Sequence, residues 1–306
     1  MMELTDIATG LQFPEGPVAM PDGTIILVEI AAGRVTRIAA DGAKSVIAEQ
    51  GGGPNGLAIG PDGRLYVCNN GGMPFVEKNG STFPGLAGEE ARLGWIEVVD
   101  LTSGHTEVLY PDCNGQPLLG PNDIVFDAHG GFWFTDHGKT RLTSRDRGGV
   151  YYAKADGSSI SRVIAPMDGP NGIGLSPAGD RLYVAETPTG RLWAFDIDTP
   201  GTIKKMKGPA PWEHGELLAN PPGYCLFDSL AVDAAGNICI ATIPSGLTVV
   251  SPDGSKVERI DLPDLIPTNI CFSAQEPNLA YLTLSASGRL VSMPWPRGGA
   301  KLNFLT

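Results

Sequence analysis

Nothing in this sequence reads as a membrane-spanning helix, because it holds no run of about 18 apolar residues. The opening stretch Met1-Met2-Glu3-Leu4-Thr5-Asp6 lacks the basic and apolar regions of a secretory leader. Cysteine is sparse: Cys68, Cys113, Cys225, Cys239 and Cys271 form no CxxC pair. That excludes a zinc knuckle and argues for buried thiols in a reducing compartment over a disulfide frame. Positive charge is also short, with 22 Lys and Arg against 34 Asp and Glu, a net charge of −12. With no basic patch, nucleic acid and anionic membranes are disfavoured as partners. The expectation is a soluble, cytoplasmic protein whose acidity suits a cation. GxSxG and HExxH are absent, leaving serine-hydrolase and zincin chemistry without support. Gly51-Gly-Gly-Pro-Asn-Gly56 fits GxGxxG by letter, but Pro54 interrupts it and a strand pattern follows. Gly138-Lys139-Thr140 lacks the upstream glycine of a P-loop.

What the chain has in excess is glycine and proline, 41 and 26 among 306 residues, close to twice their usual share. With 42% hydrophobic residues, this composition favours many short strands joined by tight turns. One phrase recurs: a turn, a small polar residue, an apolar run, a Gly-containing turn, then a second apolar strand. It appears as Phe13-Pro-Glu15-Gly, Gly53-Pro-Asn55-Gly, Gly120-Pro-Asn122-Asp, Gly169-Pro-Asn171-Gly, Phe227-Asp228-Ser and Pro267-Thr-Asn269. Successive polar positions lie 40 to 67 residues apart, the length of a four-stranded propeller blade plus loops. Third strands follow in places, as at Arg191-Leu-Trp-Ala-Phe-Asp196 and Gly94-Trp-Ile-Glu-Val-Val-Asp100. The expected fold is an all-β, six-bladed β-propeller forming one domain over 1–306, with a β-sandwich as the alternative. The longest gap contains a polar, Gly-rich insertion at about 69–93, expected to cross one mouth of the propeller.

In a propeller the innermost strands run side by side along the axis, so their equivalent ends converge. Glu15, Asn55, Asn122, Asn171, Asp228 and Asn269 would then ring one mouth with oxygen-bearing side chains. Two carboxylates with several amide carbonyls suit a hard divalent cation such as Ca²⁺ or Mg²⁺, with Mn²⁺ and Zn²⁺ as further candidates. A single Asn after Gly-Pro serves equally as a turn former. Glu15 and Asp228 break that reading, because neither is a favoured replacement in an Asn-Gly turn. His137 and Glu186 follow the outgoing strands of the third and fourth units and could reach the same mouth, as could Tyr224 and the Asn69-Asn70 pair. His105, His129 and His214 sit in turn-like contexts.

On the motifs Phe-Pro-Glu15-Gly-Pro, Gly-Pro-Asn122-Asp123, Gly-Pro-Asn171-Gly and Phe-Asp228-Ser-Leu-Ala-Val-Asp, the sequence resembles the senescence marker protein-30, gluconolactonase and luciferin-regenerating-enzyme family. The resemblance spans essentially the whole chain. It implies a six-bladed propeller, one divalent metal at the channel mouth (calcium foremost) and hydrolysis of a small-molecule lactone. It implies Glu15, Asn171 and Asp228 as metal ligands, and Asn122 at a position that contacts metal or substrate, as in the squid-type diisopropylfluorophosphatase. Asn55 and Asn269 join the substrate-binding set with His137 and Glu186, the two asparagines by repeat position alone. Asp228 is the expected base, with direct nucleophilic attack as the alternative. Gln116-Pro-Leu-Leu-Gly-Pro121 has no Arg where the family often carries one, so the lactone, a sugar-acid or another small one, is left open. A phosphotriester or ester hydrolase, and a non-enzymatic metal- or ligand-binding propeller, stand as the other readings. Nothing in the sequence speaks to oligomeric state.

Overall fold

The computed structural model describes residues 3–211, 213 and 215–305; Met1, Met2, Trp212, Thr306 and His214, singled out above, lie outside them. The chain forms six antiparallel blades. Their innermost strands are Pro14–Ala19, Pro54–Ile59, Pro121–Phe126, Pro170–Leu175, Leu226–Val232 and Pro267–Phe272. Each packs beside the next, and the last returns to the first, so the six close a ring. Blade six takes its outermost strand, Thr5–Ala8, from the opposite end of the chain. That closure carries no repeat signal in the sequence.

The core explains why the second strands read as unbroken apolar runs. It consists of six hydrophobic layers, one between each neighbouring pair of blades. Side chains alternate across a strand, so in Ile25–Glu29 the residues Ile26 and Val28 join the layer shared with blade two, whereas Ile25 and Leu27 join the layer shared with blade six. Both faces of each central strand are therefore buried. Fully burying a side chain such as Leu27 contributes about 2 kcal/mol. The expected Gly turns join first and second strands, with Gly23, Gly63, Gly130, Gly179 and Gly236 at positive φ.

All six innermost strands share an irregularity at the repeated polar residue. The ladder to the second strand gains one extra residue between Glu15 and Val18, Pro54 and Leu57, Pro121 and Ile124, Pro170 and Ile173, Phe227 and Leu230, and Pro267 and Asn269. A one-residue bulge re-aims the side chain it carries. Glycine beside it lets neighbouring strands close up. At Gly16 (φ +57) an added Cβ would lie 2.5 Å from the Asn55 carbonyl oxygen, and at Gly172 it would lie 2.7 Å from that of Asp228.

The 69–93 insertion lies on the face where the innermost strands begin. It includes a hairpin, Phe75–Lys78 with Ser81–Pro84, turning at Asn79-Gly80 with both φ values positive. This is the favoured two-residue hairpin chemistry, a signal overlooked in the sequence because the segment is too polar for a blade strand. Phe75 packs on Phe13 at 5.0 Å between ring centroids. The Thr82 amide donates to Ala286 O at 2.9 Å and the Ala87 amide to Thr140 O at 2.9 Å. The insertion thus touches blades six, one and three. At the opposite mouth, Ala300 N–H bonds Val232 O and Asn303 Nδ2 bonds Phe126 O, so the C-terminal segment crosses from blade five to blade three. No helix among the described residues is long and apolar enough to cross a membrane.

Candidate functional site

The bulges at the strand beginnings bring the repeated polar residues together beneath the insertion. Asn171 Nδ2 donates to Asp228 Oδ1 at 2.7 Å, joining blades four and five. Asn269 Nδ2 donates to Glu15 Oε2 at 3.0 Å, joining blades six and one. Glu15, Asn55, Asn122, Asn171 and Asn269 are all buried.

Orphaned oxygens mark what is missing from this ring. Glu15 Oε2 accepts from Gly16 N–H and Asn269, but Glu15 Oε1 is buried without a partner. Asn122 Oδ1 is likewise buried and unpaired. The Asn171 amide is turned by its two acceptors, Thr187 Oγ1 at 3.1 Å and Asp228, leaving its oxygen only a long 3.4 Å contact from Ser229 Oγ. A buried polar atom left unpaired is costly, and here the unpaired atoms are all acceptors. The electrostatics agree. Burial, then the charges of Asp228 and Asp123, push Glu15 well above the usual carboxylate range. Burial, helped by Asp123, pushes Asp228 up to about 7 against the opposing hydrogen bond from Asn171. Neither carboxylate takes part in an ion pair among the described residues. Two crowded carboxylates and unpaired amide oxygens fit a divalent cation, which would be held by Glu15, Asn122, Asn171 and Asp228.

Other expected residues take different places. Asn269 spends its oxygen on Ile270 N–H at 2.7 Å and its amino group on Glu15, so it positions that carboxylate. Asn55 has no side-chain hydrogen bond among the described residues. His137 stands at the rim: its amide bonds Gly120 O at 2.9 Å, and its Nε2 lies 3.0 Å from where a Cβ on Gly169 would sit. Those glycines are two residues before Asn122 and Asn171. Burial lowers His137 to about 4, aided by Arg145 and Lys139, so its imidazole is neutral at ordinary pH. Glu186 does not reach the ring. Its carboxylate accepts from Asp168 N–H at 2.8 Å and Thr189 Oγ1 at 2.7 Å, which ties down the loop before Asn171. Asn69 is spent in the same way, on Gly53, Gly71, Gly51 and Glu97, and Tyr224 is largely exposed.

Two charged groups went unassigned in the sequence. Asp123 is buried one residue past Asn122, and burial pushes it up to about 7 despite donors at Ile124, Ile173 and Ser229. It does not join a three-carboxylate cluster: no three of His, Cys, Asp or Glu among the described residues come together to hold a metal unaided. The amides are needed. Lys139, dismissed with the failed P-loop motif, is buried at 6% exposure and reaches the Asn70 carbonyl in blade two. Burial pushes its pKa below the ordinary lysine value, partly offset by Asp136.

A cavity of about 650 Å³ lies apart from the mouth under the insertion. It runs along the axis below the ring, roofed by Asp123 and Asn269, walled by Val18, Ile173 and Val232, and bordered by the C-terminal segment.

Residues 13–286 match the family described as the SMP-30/gluconolactonase/LRE-like region. The chain is 26% identical to a gluconolactonase of Zymomonas mobilis, over 93% of this chain and 79% of the relative. It is 30% identical to the diisopropyl-fluorophosphatase of Loligo vulgaris, over 69% of this chain and 68% of that one. Among solved structures, a gluconolactonase from Xanthomonas campestris superposes with a TM-score of 0.74 at 24% identity, covering 96% of this chain and 90% of the other. A calcium-binding regucalcin from Agrobacterium tumefaciens also gives 0.74, at 18% identity over 100% and 97%. These likenesses of structure speak to the fold.

Proposed function

The chain belongs to the SMP-30/gluconolactonase/LRE-like family, and we propose that it hydrolyses a small lactone with one divalent cation held by Glu15, Asn122, Asn171 and Asp228. The observation that carries this reading is the ring's set of buried, unpaired oxygens between carboxylates that no described cation balances. Gluconolactonase and lactonase relatives support the reaction class. An all-oxygen donor set favours calcium, with Mg²⁺, Mn²⁺ and Zn²⁺ as alternatives, and the calcium-binding neighbour is in keeping with it.

The bound cation would polarise the lactone carbonyl and offset the negative charge developing on its oxygen. Asn171 fixes the Asp228 carboxylate through Oδ1, so the other oxygen is the one available as base. Water adds to the carbonyl carbon as Asp228 takes its proton. The ring C–O bond then breaks, and Asp228 returns the proton to the departing alkoxide oxygen. The hydroxy acid formed ionises at neutral pH, so one proton appears in solution per turnover. Asn269 holds Glu15 in place throughout, and the insertion excludes bulk water from the mouth.

Acid release from a panel of five- and six-membered lactones tests the proposal, comparing chelator-stripped protein with protein given single divalent metals. Turnover that returns with metal is expected; full activity in stripped protein would refute the cation's role. Asp228→Asn should lower kcat by about 10³-fold, within the range for loss of a general base, while weakening cation binding far less. Unchanged turnover removes Asp228 from the role. The squid relative gives a second reading, hydrolysis of a phosphofluoridate by the same ring, and turnover of diisopropyl fluorophosphate without any lactonase activity would favour it.

A further inference from the structure

Lys139 is a buried ammonium with too few partners. Its Nζ donates to the Asn70 carbonyl, which leaves two N–H donors, and no ion pair of Lys139 occurs among the described residues. The nearby carboxylates act on it through their charge, but their oxygens bond other groups. Asp136 accepts the amides of Leu119, Gly120 and Gly138 at 2.7, 2.7 and 2.9 Å. Asp146 takes the Lys139 amide at 3.1 Å and pairs with Arg141 at 2.9 Å. A buried charge is tolerated when a partner neutralises it; here the protein supplies a carbonyl in contact, and the charges of Asp136 and Asp146 act only from beyond ion-pair distance.

The ammonium stands on the rim from which the ring residues project. Asn70, which it holds, donates its amide to Gly53 O at 2.8 Å, two residues before Asn55. Lys139 itself lies two residues past His137, whose amide bonds Gly120, two residues before Asn122. The amine therefore sits between blades two and three on the same rim as the mouth, under the root of the insertion.

Resting on the lactonase reading, we propose that Lys139 recognises an anionic group of the substrate, so that the lactone opened here carries a carboxylate. The carbonyl end would lie over the oxygen ring and the carboxylate would complete the ammonium between blades two and three. Such a site takes a hydroxydiacid lactone in preference to a neutral aliphatic one.

The test uses the full-length metal-loaded protein and two matched probes, 5-oxotetrahydrofuran-2-carboxylate and its neutral carboxamide. Wild type is expected to favour the carboxylate at least tenfold in kcat/KM, mainly through KM. Lys139→Met should collapse that ratio to near one, and Lys139→Arg should restore part of it. No preference in wild type overturns the proposal. So does a ratio that survives in Lys139→Met while both substrates slow together, because the lysine is then only an anchor for Asn70. Calorimetry with wild type alone, comparing 2-hydroxyglutarate with 4-hydroxybutyrate, needs no variant and no turnover. The diacid is expected to bind at least tenfold more tightly at low salt, with the advantage shrinking as ionic strength rises; equal binding overturns the inference. If neither lactone is opened under any metal, the lactonase reading fails, and the calorimetric pair still decides the anion site.

Discussion

Replacing Glu15 by Gln should move stability in opposite directions according to whether the cation is present. In the metal-free protein Glu15 is a buried carboxylate facing the charges of Asp228 and Asp123. An unpaired buried polar atom by itself costs about 1–3 kcal/mol, and Glu15 Oε1 is one. A glutamine oxygen keeps both hydrogen bonds, from Gly16 and Asn269, and its amino group replaces the orphaned Oε1 beside a carboxylate. If that cost is relieved, metal-free Glu15→Gln gains about 2 kcal/mol and melts about 3 °C higher. The cation reverses the ranking. At a free concentration one hundred times Kd, binding stabilises wild type by about 2.7 kcal/mol, and a hundredfold loss of affinity leaves about 0.4 kcal/mol. Thermal melts of chelator-stripped protein, with and without a calcium titration, read both effects. A lower metal-free Tm in the variant, or an undiminished calcium shift, would refute the account of the ring as a cation-deficient carboxylate site.

The metal-free protein should also lose stability as pH rises. Asp228 has a folded pKa of about 7, above its ordinary 3.8, and Glu15 is raised as well. The folded state therefore holds protons that the unfolded chain has released. This stabilisation is complete below about pH 4, is lost through about pH 7, and is worth at most about 4 kcal/mol from Asp228 alone. Saturating cation should flatten the decline, and denaturant unfolding across pH 4–8 with and without metal checks it; equal slopes would count against the ring. Glu186→Ala should cost about 1–3 kcal/mol, because it leaves the Asp168 amide without its acceptor. It should leave the cation Kd unchanged by calorimetry, and a large change in that Kd would place Glu186 in the site after all.

The sequence showed the fold through its punctuation. The small polar residue at the start of the innermost strand recurs six times, after Gly-Pro in three units, and a Gly turn between apolar runs recurs in five, because each blade must solve the same turning problem. The ring was legible for the same reason, since equivalent positions in a repeat converge wherever the repeats share an axis. Two features escaped notice. Thr5–Ala8 completing blade six is a long-range pairing with no local signature, and the Asn79-Gly80 hairpin was hidden in a segment too polar to resemble a blade.

What tertiary structure decided was the duty of each polar residue within that ring and around it. Asn122 and Asn269 occupy equivalent repeat positions, yet Asn122 keeps a free buried oxygen and Asn269 spends its own on Ile270. Glu186 and His137 both follow an outgoing strand, but one is consumed by its loop and the other stays at the rim. The role proposed for Lys139 arises only because folding buried its ammonium with a backbone carbonyl in place of a contacting carboxylate. Residue type and period are local properties, and a chain displays them in order. Which lone pairs and protons remain unspent depends on partners brought from distant blades, and only the closed ring assigns those.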